Sequence, residues 1–174
     1  MKTIIIGSGQ VTCKLLNSAR LSNVLVLMTN SNTNANVKSL IKKSFNYISA
    51  DKGENFGKMT DEILSRLTTE DVVINTAPSI DDITLNNLKN TKAYVIYIST
   101  NAVTDELVKQ KNDGDNYVLQ PFPYRDRKMF EEQQLKNSCI IRCGFFPNTV
   151  YFRGEQVCAH ITVKQTLQNI NNFR

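Results

Sequence analysis

A tyrosine and a lysine four positions apart, Tyr124 and Lys128, have the side chains that proton-transfer chemistry uses. Residues at i and i+4 lie on one face of a helix, and a nearby ammonium lowers the pKa of a phenol from its ordinary value of about 10. Such a phenol can exchange a proton with a substrate hydroxyl or carbonyl. Thr100, or its neighbour Ser99, could hydrogen-bond the same substrate oxygen as charge develops on it. These residues predict general acid–base chemistry centred on Tyr124.

A glycine-rich turn near the start of the chain predicts a phosphate site. The apolar run at residues 3–6 meets Gly7-Ser8-Gly9-Gln10-Val11, and an apolar, helix-compatible segment follows at once. A strand, a glycine turn and a helix open many dinucleotide-binding domains, because the backbone can approach a pyrophosphate and the helix N-terminus points at it. The third position of the motif, usually glycine, is Thr12.

The remainder of the chain supplies elements that could position these residues. Apolar runs at 24–28, 45–50, 71–75, 93–98 and 139–142 predict further strands. Helices are predicted at 60–67, 81–88, 103–110 and 124–135, and a short strand at 159–163. The apolar runs are mostly continuous and not alternating, which is typical of a sheet buried on both faces. The pattern predicts an α/β doubly wound parallel sheet, a Rossmann fold, over residues 1–147, with a short extension at 148–174.

In such a sheet the ligand lies at the carboxyl ends of the strands. The candidate ligand contacts at those ends, beyond the glycine turn, are Asn30, Ser31, Asp51, Asn75 and Ala77. No acid follows the second strand, where an NAD-preferring site holds the ribose 2′-hydroxyl. Lysines follow there instead, at positions 38, 42 and 43. This composition favours NADP over NAD as the cofactor.

The order of these motifs resembles the extended branch of the short-chain dehydrogenase/reductase superfamily, which includes nucleotide-sugar epimerases, dehydratases and reductases. The greatest likeness is to dTDP-4-dehydrorhamnose reductases. Gly9-Gln10-Val11 is similar to their glycine turn, the DVVINTA run at 71–77 to their fourth strand, and YISTN at 97–101 to their fifth. Tyr124 and Lys128 match the Y-x-x-x-K motif, and IIRCG at 140–144 is similar to the strand behind it.

The resemblance implies a role for each matched residue. Thr100, Tyr124 and Lys128 would form the catalytic triad, with the pyrophosphate on Gly7, Gly9, Gln10 and Val11, the adenine edge at Asp51 and the nicotinamide-side ribose at Ala77. It implies an NAD(P)-dependent oxidoreductase or epimerase acting on a carbonyl or hydroxyl of a nucleotide-sugar-like substrate. The family usually continues well past the last matched strand, so we expect a reduced substrate-binding portion here.

Composition excludes several other classes. At 174 residues, with 41% hydrophobic and 21% charged residues, the chain suits one globular domain. No run reaches the roughly 20 apolar residues of a membrane span, and no signal peptide is recognisable. Four cysteines without C-x-x-C spacing and a single histidine, His160, disfavour a zinc site. Unpaired cysteines and no export signal predict a cytoplasmic protein.

The net charge of +5 favours a small anionic partner. The basic residues are scattered along the chain, so we expect no nucleic-acid partner. Exposed helices on a parallel sheet would allow a homodimer. Two other functions remain open at this point. One is a catalytically inactive NAD(P)-binding regulatory protein, and the other is a module of a hetero-oligomeric sugar-biosynthesis complex.

Overall fold

The computed structural model describes residues 1–18, 21–30, 45–100 and 122–143. It contains six parallel strands in the order β3-β2-β1-β4-β5-β6. The strands are β1 (Thr3–Ile6), β2 (Val24–Thr29), β3 (Asn46–Ala50), β4 (Val72–Asn75), β5 (Tyr94–Thr100) and β6 (Cys139–Cys143). The helices are α1 (Gln10–Ser18), α2 (Glu54–Leu64), α3 (Asp82–Asn90) and α4 (Phe122–Gln134). The predicted α/β doubly wound parallel sheet is confirmed.

Two apolar clusters, one on each face, hold the sheet. The first contains Ile5, Val26 and Ile74 together with Leu15 of α1. The second contains side chains of the neighbouring strand positions, such as Ile4 and Val73, together with residues of α2 and α3. Successive strand residues point to opposite faces, so continuous apolar runs feed both clusters at once.

Helix α2 begins six residues earlier than the predicted start at position 60. The stretch before position 60 contains Gly53 and Gly57, which disfavour a helix by propensity. Gly57 is nevertheless helical because α3 packs directly against it. A Cβ on Gly57 would lie 2.8 Å from the Cβ of Ile83. Tertiary packing therefore overrides local propensity at this position.

Helices α3 and α4 lie close to their predicted positions. Helix α3 begins after Asp81, whose carboxylate accepts hydrogen bonds from the Thr84 backbone N–H and hydroxyl, both at 2.8 Å. This is an ordinary N-terminal cap. Helix α4 carries Tyr124 and Lys128 and packs against β5 and α3.

Several predictions fall outside the described residues: the helix at 103–110, the strand at 159–163, Ser31 and the lysines at 38, 42 and 43. The structure gives the backbone of Gln10, Thr100 and Tyr124, but not the placement of their side chains. Among the described residues, no helix is long and apolar enough to cross a membrane.

Candidate functional site

The strand register brings the glycine turn beside the end of β4. Ile6 pairs with Leu27 on one side and with Asn75 on the other, and Asn75 pairs in turn with Tyr97. The last residues of β1 and β4 are therefore paired, so the two strands end side by side in the sheet. Gly7 and Thr76, the next residue of each strand, lie side by side at the carboxyl edge of the sheet.

Gly7 allows this close approach. Its φ is +116°, a backbone conformation that favours glycine. Its N–H donates to the Leu27 carbonyl at 2.9 Å. A Cβ on Gly7 would lie 2.5 Å from Thr76 Oγ1 and 2.8 Å from the Ala77 nitrogen. The first glycine of the motif is therefore required both by its conformation and by its neighbours.

The space above Gly9, by contrast, is open. A Cβ there would meet no atom within 4 Å. The Cys13 N–H donates to the Gly9 carbonyl at 3.1 Å, and α1 starts at Gln10. The backbone N–H groups at the start of a helix have no partner within it, so they are available to an anion. Gly9 and the N-terminus of α1 together form an open cradle that suits a phosphate, with Ser8 buried and Val11 half-buried beside it.

Thr12, the departure from the glycine motif, is fully buried with its hydroxyl in use. Thr12 Oγ1 donates to the Gly7 carbonyl at 2.9 Å and lies 2.7 Å from Thr76 Oγ1. Thr76 Oγ1 in turn lies 2.9 Å from the Ile6 carbonyl, to which it can donate. The structure thus accommodates the side chain that replaces the third glycine, and links it to both β1 and β4.

Asn30 and Asp51 meet at the far end of the same edge. Asn30 Nδ2 donates to Asp51 Oδ1 at 2.8 Å, and the Asn30 N–H donates to the Ala50 carbonyl at 3.0 Å. Both side chains are exposed. Two residues that the sequence nominated separately therefore form one polar pair beyond β2 and β3.

Asn75 differs from the other residues nominated at the rim, because its side chain is fully buried. Neither its Oδ1 nor its Nδ2 has a hydrogen-bond partner among the described residues. The amide lies beneath the rim and does not line its open surface. A direct contact between Asn75 and a cofactor stays a prediction. Ala77, two residues further on, is half-buried and lies beside the glycine turn.

Lys128 is buried beneath the rim, with 1% of its surface exposed. Its Nζ donates to the Ala77 carbonyl at 3.0 Å, to Tyr97 Oη at 3.0 Å and to the Ile98 carbonyl at 3.3 Å. The ammonium also lies 4.7 Å from the centre of the Tyr97 ring. Lys128 thus connects α4 to the carboxyl ends of β4 and β5. Its link to Ala77 places it next to the glycine turn.

Glu131 compensates the buried charge of Lys128. It is fully buried, accepts a hydrogen bond from Tyr97 Oη, and lies 3.8 Å from Lys128 Nζ. It also accepts from Arg127 Nε at 3.0 Å. Arg127 extends the chain of charges to Asp82, at 2.9 Å. Burial lowers the pKa of Arg127, but its hydrogen bonds to Asp82 and Glu131 outweigh that effect and raise it.

A second ion pair holds the same face of α4 to β6. Arg142 donates to both carboxylate oxygens of Glu132, at 3.1 and 2.8 Å. Burial raises the pKa of Glu132, but Arg142, Ser99 and Lys128 together lower it below its ordinary value. Ser99 is buried beside this pair and makes no hydrogen bond of ordinary geometry within the described residues. Ser99 nevertheless contributes to the lowered pKa of Glu132.

The sequence did not single out Tyr97, Glu131, Arg127 or Thr76. A signal for Tyr97 was present, because a tyrosine inside a buried strand needs a partner for its hydroxyl. The positions of Arg127 and Glu131 relative to Lys128 on α4 also allow contact. The pairing of Thr76 with Thr12 spans 64 positions in the chain, and no local pattern indicates it.

Comparison with solved structures finds proteins of the same fold. A short-chain dehydrogenase/reductase (wide type) from Veillonella parvula DSM 2008, crystallised in complex with NADP, superposes with a TM-score of 0.59 at 16% identity. That match covers 85% of this chain and 71% of the other. An ethylated short-chain dehydrogenase/reductase from the same organism gives 0.56 at 17% identity, with the same coverage. A protein described as an NAD-dependent epimerase/dehydratase from Methylobacillus flagellatus gives 0.52 at 14% identity, covering 88% of this chain and 56% of that one.

At these low identities, the superpositions show a shared fold and nothing further. No protein-family model and no curated protein matches the sequence. Within the part of the chain that the structure describes, no three His, Cys, Asp or Glu side chains are grouped so that they could hold a metal ion.

Proposed function

We propose that this chain binds NADP(H) across the carboxyl edge of its sheet and acts as an NAD(P)-dependent oxidoreductase of the short-chain type. The observation that carries the proposal is the cradle formed by Gly7, Gly9 and the start of α1. The fold is shared with a protein that was crystallised with NADP. The residues present fit the pyrophosphate, because Gly9 leaves the space open and helix N–H groups face it.

The finer features of the cofactor site follow from the same edge. The pyrophosphate would contact Gly9, Gln10 and Val11, and the adenine would lie towards the Asn30–Asp51 pair. Asp51 gives this pair a negative charge, so the pair itself does not favour a ribose 2′-phosphate. The proposal of NADP over NAD is supported by the sequence, where no acid directly follows β2. Ala77 would border the nicotinamide-side ribose, because its nitrogen lies beside the glycine turn.

Bound there, the nicotinamide would supply or accept a hydride at a substrate carbon. Tyr124 would give a proton to the substrate oxygen in reduction, or take one in the reverse direction. Thr100, or Ser99 beside it, would hydrogen-bond the same oxygen. Lys128 would stabilise the ionised form of the phenol by its charge, from a position one helical turn further along α4. The net positive charge of the chain suits an anionic, nucleotide-sugar-like substrate.

The buried setting of Lys128 favours a second candidate function. An ammonium has three hydrogens to donate. Among the described residues, Nζ donates to three acceptors: the Ala77 and Ile98 carbonyls and Tyr97 Oη. A lysine committed to those acceptors would tie the strand ends together and take no part in chemistry. The chain would then be an NADP-binding regulatory protein without turnover.

Tyr124→Phe separates the two functions. If the chain is an enzyme, wild type should oxidise NADPH with a carbonyl substrate, screened among nucleotide-sugars and simple ketones. The variant should bind NADPH with unchanged affinity and lose turnover by about a hundredfold or more, the usual contribution of a positioned acid–base group. Tight NADPH binding without turnover by wild type across the screen would support the regulatory protein. An active Tyr124→Phe variant would contradict the assigned role of the phenol.

A further inference from the structure

Thr12 occupies the position where the glycine motif usually has its third glycine, and its side chain is fully buried. Buried hydroxyls are costly unless they are hydrogen-bonded. Here the hydroxyl contacts the Gly7 carbonyl at 2.9 Å and Thr76 Oγ1 at 2.7 Å. The replacement therefore comes with its own compensating contacts.

The hydrogens in this cluster can be counted. Each hydroxyl has one hydrogen to donate. The Ile6 carbonyl already accepts from the Thr76 backbone N–H at 2.8 Å. When Thr12 donates to the Gly7 carbonyl and Thr76 donates to Thr12, both carbonyls and both hydroxyls have a partner. That arrangement satisfies all of these polar groups without an outside partner.

The orientation of the Gly7 peptide matters for an anion at this edge. With φ at +116°, Gly7 turns its carbonyl towards α1, where Thr12 binds it. A carbonyl oxygen carries partial negative charge, so it would repel a phosphate if it faced the cradle. Thr76 lies where a Gly7 Cβ would be, so Gly7, Thr12 and Thr76 fit together as one unit.

We propose that Thr12 is a positioning residue of the dinucleotide site. Its hydroxyl, together with that of Thr76, holds the Gly7 peptide in the orientation that suits a pyrophosphate. It does this by hydrogen bonding, in place of the close helix–strand packing that a third glycine allows. This inference rests on the proposed NADP binding. In this chain a threonine, where the motif usually has a glycine, fixes the orientation of the Gly7 peptide.

The test compares NADPH affinities by fluorescence titration. Thr12→Val keeps the shape and removes the hydroxyl, and Thr12→Ser keeps the hydroxyl. We expect Thr12→Val to raise the Kd about tenfold, consistent with the loss of a buried hydrogen bond and of the turn geometry it fixes. Thr12→Ser should stay within about twofold of wild type, because the hydrogen bond survives.

Two readouts exclude a loss of folding as the cause. The binding stoichiometry of Thr12→Val should stay near that of wild type, since an unfolded fraction lowers the stoichiometry and leaves the Kd of the folded fraction unchanged. The matched control is Thr60→Val. Thr60 is also fully buried and donates to a glycine carbonyl, that of Gly57, at 2.8 Å, but at the α2–α3 contact. Thr60→Val should lower the melting temperature without changing the Kd for NADPH.

Equal NADPH affinity of wild type and Thr12→Val would overturn this inference and leave the proposed function standing. A Kd that rises equally in Thr60→Val would also overturn it, because the effect would then be one of general stability. If wild type itself shows no saturable NADPH binding, the proposed function fails and this inference fails with it.

Discussion

The two glycines of the turn have different structural requirements. Gly7 has a positive φ and contacts Thr76 and Ala77, whereas Gly9 has open space above it. The sequence motif alone does not distinguish the two glycines. In the structure, one glycine is needed for folding, and the other leaves room for a ligand.

Gly7→Ala should therefore destabilise the fold much more than Gly9→Ala does. The first variant forces a Cβ to within 2.5 Å of Thr76 Oγ1 at an unfavourable φ. It should cost about 2 kcal/mol or more in the free energy of unfolding, measured by urea denaturation.

Gly9→Ala should cost no more than about 1 kcal/mol, since no atom lies within 4 Å of the new methyl group and the substitution changes only the N-cap of α1. It should still weaken NADPH binding, because the methyl group enters the cradle. Equal stability of the two variants would contradict the structural difference between the glycines.

For Lys128 and Tyr124, the sequence predicted the helix that carries them but not the burial of the lysine. The helix predicted at 124–135 is confirmed as α4, and Lys128 lies on it beside the strand ends. The i, i+4 spacing could not indicate that Nζ would be buried against Tyr97 and Glu131, because a side chain's burial depends on which residues pack over it. The catalytic role of the pair stays a prediction.

At the scale of elements, a chain of alternating charges joins α4 to α3, and its buried members Lys128 and Glu131 bind the Tyr97 hydroxyl of β5. Asp82, Arg127, Glu131 and Lys128 follow one another in contact, and Glu131 is fully buried among them. Each buried charge is tolerated because an opposite charge lies next to it. The orientation of the Y-x-x-x-K helix thus depends on a residue outside that motif.

Glu131→Gln should destabilise the protein strongly. The substitution leaves Lys128 and Arg127 without their buried counter-charge, and breaking such a pair costs about 3–5 kcal/mol. The matched control is Glu62→Gln. Glu62 also faces an arginine four positions further on, Arg66 just past the end of α2, at 3.1 Å, but on the exposed surface. That control should cost no more than about 1 kcal/mol. Similar unfolding free energies for the two variants would show that Glu131 is not the centre of this network.

Asp71 joins the start of β1 to the start of β4. Its carboxylate accepts from the backbone N–H groups of Thr68 at 2.9 Å and Lys2 at 2.7 Å. The hydrogen bond from the Thr68 backbone lowers the pKa of Asp71 most, and it outweighs the opposing effect of burial. The folded state therefore favours the ionised carboxylate.

This shift predicts a loss of stability in acid. A lowered folded pKa stabilises the protein fully above the unfolded value, about 3.9, and that contribution disappears as the pH falls through the lower folded pKa. Asp71→Asn should be less stable than wild type at neutral pH. The difference in unfolding free energy between wild type and Asp71→Asn should become smaller below about pH 4, as measured by urea denaturation at a series of pH values. A difference that is independent of pH would show that ionisation of Asp71 does not contribute.

At the scale of the whole molecule, the fold could be predicted from the sequence to a large extent. Continuous apolar runs identified the buried strands such as β1, β2 and β4, because a parallel sheet covered on both faces leaves that signature. The edge strand β3 was also predicted, although its sequence is mixed and its residues are mostly exposed. The start of α2 could not be predicted, since Gly53 and Gly57 disfavour a helix and the close contact of Gly57 with Ile83 joins residues distant in the chain. Helix boundaries set by contact with another element leave no local signal.

The candidate site could be predicted only as a set of positions along one edge. The rule that ligands lie at the carboxyl ends of parallel strands nominated Gly7, Asn30 and Asp51, and the structure puts all three at that edge. Asn75 lies at the same level, but its side chain is fully buried. Strand position alone does not distinguish a side chain on the rim from one beneath it.

The central claim is that the glycine turn and the N-terminus of α1 form an NADP(H) site. Fluorescence titration of the wild-type chain with NADPH tests it most directly, with Gly9→Ala measured alongside. We expect saturable binding at one site per chain, and a Kd at least about tenfold higher for Gly9→Ala, whose fold should be intact. The absence of saturable NADPH binding by the folded wild-type protein, or equal affinity in the two proteins, would contradict the account.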